Sequence, residues 1–161
     1  MCIRDRLDYS KHQNKILELN VEEKYVWVQP GVVLDHLNAY LKPHGLWFPV
    51  DVSTSSRATI GGMSANNSCG SRSLYYGNMV HNVLAIEAIL DDGSIFNFDQ
   101  INKNYLATKN NQDRLYKIID KFIDVRQQVG GEIDANWPTT QRRVGGYNID
   151  LIDPEGFNSS N

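Results

Sequence analysis

Four of the chain's twelve glycines, Gly61, Gly62, Gly70 and Gly77, fall between Phe48 and Gly77, where neither a helical nor a strand period can be read. Backbone that needs so many residues without Cβ lies close to something. Whatever forms on either side has to be arranged around an irregular, glycine-rich centre.

The flanking segments are more regular. Ile16-Leu17-Glu18-Leu19 and Tyr25-Val26-Trp27-Val28-Gln29 enclose the polar run Asn20 to Lys24, which predicts a hairpin with a slightly long loop, ended by Pro30-Gly31. Leu34, Leu37 and Leu41 recur at helical spacing, so a helix is expected from about Val33 to Lys42, stopped by Pro43 and Gly45. Beyond the glycine-rich stretch, Val83 to Leu90 reads as a buried strand. The turn Asp91-Asp92-Gly93 then leads into Ser94 to Phe98, a second hairpin. After the polar loop Asn102 to Asn111, Asn110 or Asn111 can cap a helix whose core stripe is Leu115, Ile118, Ile119, Phe122 and Val125, with Gly130-Gly131 as its expected end. The last thirty residues read as irregular, without a closing element. Strands and helices mix without βαβ alternation, so the expected class is α+β with a mainly antiparallel sheet flanked by helices.

Composition narrows the function classes. At 161 residues and 41% hydrophobic content the chain can bury a core without disulfides. Sixteen Lys and Arg against nineteen Asp and Glu, with no basic stripe among aromatics, argue against a nucleic-acid partner. The longest apolar stretch, Val83 to Leu90, is far too short to span a bilayer. Cys2 and Cys69 are the only cysteines, so neither a disulfide framework nor a metal site is expected. A reducing, cytoplasmic location follows as the expectation, with a peripheral place at a membrane left open. Residues 1–6 have no signal-peptide core and are set aside as an extraneous leader.

The glycines themselves suggest a ligand. Gly61 and Gly62 let a turn present successive N–H groups to an anion, and a short helix starting there adds its positive end, a gain of roughly 0.3–1 kcal/mol at an exposed terminus. A phosphate or pyrophosphate suits such a site; a tight turn that packs two elements explains the same glycines. No glycine follows Gly62 until Gly70, so the dinucleotide pattern G-x-G-x-x-G is absent and NAD is excluded on spacing. A triphosphate P-loop is excluded too, for want of Gly-Lys-Ser or Gly-Lys-Thr.

The run Gln29-Pro30-Gly31, Gly45-Leu46-Trp47-Phe48-Pro49-Val50-Asp51, Ala58-Thr59-Ile60-Gly61-Gly62, Asn66-Asn67, Tyr76-Gly77 and Asp92-Gly93 resembles FAD-linked oxidases and dehydrogenases of the vanillyl-alcohol oxidase superfamily. The likeness is to the branch acting on D-2-hydroxy acids: D-lactate dehydrogenase, the flavin subunit of glycolate oxidase and D-2-hydroxyglutarate dehydrogenase. Arg142-Arg143-Val144-Gly145-Gly146-Tyr147-Asn148 resembles a further segment of that branch. The resemblance implies that residues 7–161 are the second half of a PCMH-type FAD-binding domain. The half with the pyrophosphate-wrapping loop and the substrate domain with its catalytic histidines would lie outside this internal fragment.

The same resemblance assigns cofactor contacts. It places Pro49, Asp51 and the Thr59, Ile60, Gly61, Gly62 backbone along the flavin and pyrophosphate, Ala65 and Asn66 beside the same cofactor, and Gly70 where bulk would collide with it. Val83 or Ile86 would face the adenine end. Arg142 and Arg143 offer guanidinium forks that match a substrate carboxylate or steady a flavin-side loop, although a solvated pair is the commoner outcome. Arg72 is open to a phosphate, a carboxylate or a surface ion pair. His81 and the other histidines read as surface or packing residues, and Cys69 as a small neighbour of Gly70.

The reaction implied is oxidation of a D-2-hydroxy acid to the 2-oxo acid, with FAD as cofactor and a quinone, cytochrome, flavoprotein or iron–sulfur domain as electron acceptor. No catalytic residue is expected within this chain. The other reading is a non-catalytic remnant or interaction module that binds no cofactor.

Overall fold

In the computed structural model residues 8–102, 114–140, 148–153 and 156–159 are described. The chain forms two compact units, Met1–Asn82 and Val83–Asn161, each with its own strand pairs and core. All described strand pairs are antiparallel, which with the helices gives the expected α+β class, but the strands form three separate two-stranded sheets.

In the first unit, β1 (Ile16–Asn20) pairs with β2 (Tyr25–Val28), Ile16 opposite Val28 and Leu19 opposite Val26. The register slips between Ile16 and Glu18, leaving Leu17 as the extra, bulged residue with its side chain 54% exposed. Helix α1 (Leu34–Leu41) buries Leu34, Leu37 and Leu41, as their spacing requires. It tightens into a short 3-10 turn, Lys42–His44, and Gly45, at φ 71°, supplies the left-handed stop. Val32, Leu37 and Leu41 form the core, with Ile16, Leu19, Val26, Val28, Phe48 and Ile60 packed against it. Helices α2 (Ile60–Ala65) and α3 (Ser73–Tyr76) follow, then a 3-10 turn at Met79–His81.

The second unit opens with β3 (Ile86–Ile89) and β4 (Ile95–Phe98), joined by the expected Asp-Asp-Gly turn. The strand read from Val83 is shorter than expected, and Val83 precedes it. Strand β5 (Gln100–Asn102) pairs with β6 (Gly156–Asn158), a closing element where irregular chain was expected. Ile101, Ile119 and Phe157 are its core, with Leu115, Ile123 and Ile152 against them.

Helix α4 (Arg114–Asn136) corrects two expectations. It runs straight through Gly130-Gly131, neither of which has a positive φ, because Ile133 beyond them is buried and holds the helix down. It ends instead before Trp137-Pro138, where proline disfavours a helical predecessor. Of the expected stripe, Ile119 is fully buried, but Phe122 and Val125 are 37% and 39% exposed. The helix packs through Leu115, Ile119 and Ile123, a narrower seam turned away from Phe122. The proposed caps Asn110 and Asn111 lie outside the described residues. No described helix is long and apolar enough to cross a membrane.

Candidate functional site

The first unit gathers most of the expected cofactor residues on two adjoining segments, Pro49–Asp51 and Thr59–Gly70. Thr59 is extended and serves as N-cap of α2, its Oγ1 accepting the Gly62 N–H at 3.4 Å. Met63 is buried and pins the helix from below. Gly62, Ala65 and Asn66 are all exposed and fall at i, i+3 and i+4, so the helix turns one small-residue face outward. Asn66 closes the helix by donating from Nδ2 to the Gly62 carbonyl at 2.9 Å.

The diglycine does not offer two successive N–H groups. The Ile60 N–H donates to the Val32 carbonyl and the Gly61 N–H to the Pro30 carbonyl, each at 2.9 Å. Both donors are saturated by the strand-to-helix connection before α1. Only the Gly62 N–H is weakly held, since 3.4 Å lies beyond the ordinary range for such a bond. An anion at this turn can therefore be met by the Gly62 N–H together with the Thr59 hydroxyl. Gly61 has a packing reason of its own: a Cβ there would stand 2.5 Å from Pro30 Cβ. A Cβ on Gly62 would meet only Thr59 Oγ1, at 3.1 Å, so that side is open to an incoming group.

Asp51 is committed to the chain itself. Its Oδ2 accepts from Ser71 Oγ at 2.7 Å and its Oδ1 from the Arg72 N–H at 3.0 Å. Burial pushes the Asp51 carboxyl up, but the Ser71 hydroxyl, the Arg72 N–H and the Arg72 charge outweigh it and hold it below its ordinary value. Val50 beside it is fully buried, which fixes the segment that carries Pro49 and Asp51. At Gly70 a Cβ would lie 1.8 Å from the Asp51 carbonyl oxygen, so the bulk excluded there is excluded by Asp51.

Arg72 lies against an aromatic ring in this unit. Its guanidinium carbon sits 5.0 Å from the centre of the Trp47 ring, and Trp47 meets Tyr76 edge-on at 5.1 Å. His81 holds a turn: its Nδ1 accepts the Asn78 N–H at 3.0 Å and caps the Met79–His81 turn. Sequence reading missed this role for Asn78, which is buried, and for Asn67, whose Oδ1 accepts the Val80 N–H at 3.0 Å. Asx-rich spacing around Gly77 was the available signal.

In the second unit Ile86 opens β3, half-buried opposite Phe98, and Val83 lies before it in irregular chain. Arg142 and Arg143 lie outside the described residues. Among the described residues no three His, Cys, Asp or Glu side chains are grouped to hold a metal ion.

Known proteins are similar over much of this chain. It is 50% identical over 96 residues to a D-2-hydroxyglutarate dehydrogenase of Haemophilus influenzae, covering 60% of this chain and 9% of that protein. It is 36% identical over 155 residues to a D-2-hydroxyglutarate dehydrogenase of Pseudomonas putida, covering 93% of this chain and 15% of that one. A mitochondrial D-lactate dehydrogenase (cytochrome) of Kluyveromyces lactis is 44% identical over 89 residues, 55% of this chain and 15% of its own length. The chain thus spans between 9% and 15% of these relatives. Residues 6–99, more than half of the chain, match the family model described as an FAD binding domain. With Pro49, Asp51 and the Thr59 to Gly70 turn all inside that match, the chain belongs to the FAD-binding-domain family, and its cofactor is FAD.

Proposed function

We propose that this chain is the second half of the FAD-binding domain of a longer flavoenzyme that oxidises a D-2-hydroxy acid, D-2-hydroxyglutarate first among them, to the 2-oxo acid. One observation carries the substrate class. Two relatives named D-2-hydroxyglutarate dehydrogenase match this chain, one at 50% identity over 60% of it and one at 36% over 93%, a span that takes in Arg142 and Arg143, while the Kluyveromyces lactis D-lactate relative matches at 44% over 55%. A hydroxy diacid has a second carboxylate to hold, and an arginine fork is suited to it.

The flavin, when bound, supplies the hydride acceptor. The chain supplies contacts to it: the Thr59 hydroxyl and the Gly62 N–H donate to the pyrophosphate, and the Gly62, Ala65, Asn66 face gives the cofactor room. Pro49 forms a rigid wall beside it, and Ile60, Gly61 and Gly70 act by holding the backbone close. Val83 and Ile86 belong to the adenine side, and Arg142 or Arg143 holds a substrate carboxylate. Electrons leave to a quinone, cytochrome, flavoprotein or iron–sulfur partner. The residues that take the substrate's proton lie in another part of the enzyme.

The test is dye reduction by the purified full-length protein with D-2-hydroxyglutarate, D-lactate and glycolate in parallel. Turnover with D-2-hydroxyglutarate, weakened by roughly one to two orders of magnitude in Arg142→Met or Arg143→Met, is the expected result. A flavin-bearing protein that turns over none of the three overturns the substrate class. Unchanged kinetics in both arginine variants removes their role.

A further inference from the structure

The expectation for Asp51 was direct contact with the cofactor, and the geometry points elsewhere. We infer that Asp51 is a positioning residue, whose carboxylate clasps the 70–72 turn to the Pro49–Asp51 segment and so sets the surface on which FAD is seated. The inference rests on the FAD-binding reading of this unit.

Three observations converge on it. Each carboxylate oxygen accepts a bond from the 70–72 turn, Oδ2 from the Ser71 hydroxyl at 2.7 Å and Oδ1 from the Arg72 N–H at 3.0 Å. The backbone makes a second attachment, because Gly70 approaches the Asp51 carbonyl so closely that a Cβ would stand 1.8 Å from its oxygen. The clasped turn is in turn tied to α3: the Gly70 N–H donates to Ser73 Oγ at 2.9 Å, and the Ser73 N–H returns to the Gly70 carbonyl at 3.2 Å. Ser73 is buried and Val50 is fully buried, so each side of the clasp is anchored in the unit's interior.

Charge argues the same way. An ionised Asp51 repels a pyrophosphate placed directly against it, and the Arg72 charge that favours the ionised carboxylate lies over the Trp47 ring. A carboxylate that accepts from a hydroxyl and a backbone N–H is well used as a fastener and poorly used as a phosphate neighbour. What the clasp transmits is position. It fixes Arg72 at the start of α3, and with it the Trp47–Tyr76 edge contact, while holding the Gly70 backbone against the segment that carries Pro49.

The experiment compares FAD affinity of the full-length protein, after reversible removal of flavin, in Asp51→Asn, Ser71→Ala, the double variant and Ser71→Thr. Leu37→Ala, a core change in the same unit, serves as the control for lost stability alone. The expected result is FAD binding weakened about three- to tenfold in each single variant, no further loss in the double, and normal binding in Ser71→Thr, which keeps the hydroxyl. Leu37→Ala should lower the melting temperature without a matching loss of affinity. Flavin lost in Asp51→Asn but retained in Ser71→Ala would make Asp51 a direct ligand and overturn the inference. Unchanged affinity in both would overturn it as well, with the flavin reading intact. A wild-type protein that binds no FAD would overturn that reading and this inference together.

Discussion

Gly61 and Pro30 are in direct backbone contact: the Gly61 N–H donates to the Pro30 carbonyl at 2.9 Å, and a Cβ on Gly61 would press to within 2.5 Å of Pro30 Cβ. The two members of the diglycine are therefore there for different reasons. Gly61 is required by the fold of this unit, and Gly62 leaves space on an exposed face.

Gly61→Ala should consequently destabilise the first unit by about 1–3 kcal/mol, the usual cost of forcing a group into packed structure. Gly62→Val should leave the fold largely intact and abolish flavin retention. Thermal unfolding and flavin absorbance of the two purified variants separate these effects. Equal losses of stability in both would contradict the division of roles.

Thr59→Val removes the hydroxyl that caps α2. The cap bond is long, so the stability loss should sit near the low end of the known range, about 0.5 kcal/mol. FAD affinity should fall more than that loss of stability explains, and Thr59→Ser should restore it. An affinity unchanged in Thr59→Val would remove the hydroxyl from the cofactor contacts.

Asp92 should contribute to the acid sensitivity of the second unit, alongside Asp91, which Arg114 also holds down. The Ser94 hydroxyl and N–H, and then Arg114, hold the Asp92 carboxyl down at about 2. A carboxyl lowered on folding stabilises the folded state above its ordinary value of 3.8, and that contribution is lost as pH falls through about 2. The carboxyl titration followed by NMR should therefore move up toward 3.8 in Ser94→Ala, with a smaller move in Arg114→Met. A titration midpoint that stays near 2 in Ser94→Ala would show that the turn is held by something else.

The diglycine inside α4 gives a prediction of opposite sign. A Cβ on Gly131 meets nothing within 4 Å, so Gly131→Ala should stabilise the helix by roughly 0.5–1 kcal/mol. At Gly130 a Cβ would come within 2.6 Å of Arg126 Nη1, whose guanidinium reaches Asp134 at 3.0 Å. Gly130→Ala should gain less, because Arg126 has to swing aside. Equal melting-temperature gains in the two variants would contradict the packing described.

These contrasts mark where the sequence was readable. Leu34, Leu37 and Leu41 announced α1, and the Asp-Asp-Gly turn announced its hairpin, because their signals are local in the chain. Gly130-Gly131 misled because a glycine's identity does not carry its φ, and the buried Ile133 decided the matter from beyond it. Strand β6 went unseen because Gly156–Asn158 is too short to alternate. At the site, Ala65 and Asn66 were singled out only by the resemblance, and the structure adds that they share one exposed face with Gly62. The true neighbours of Gly61 and Gly70, which are Pro30 and Asp51, are far away in sequence and could be found only in the folded chain. Arg72 likewise found a ring, Trp47, that no spacing rule connects to it.

The most direct measurement is the visible absorbance of the purified full-length protein, followed by addition of D-2-hydroxyglutarate without an electron acceptor. Stoichiometric FAD whose absorbance bleaches on addition of substrate, together with loss of that flavin in Gly62→Val, is the predicted result. A well-folded protein that purifies without flavin and takes up none when FAD is supplied would contradict the account and leave the chain a non-catalytic module.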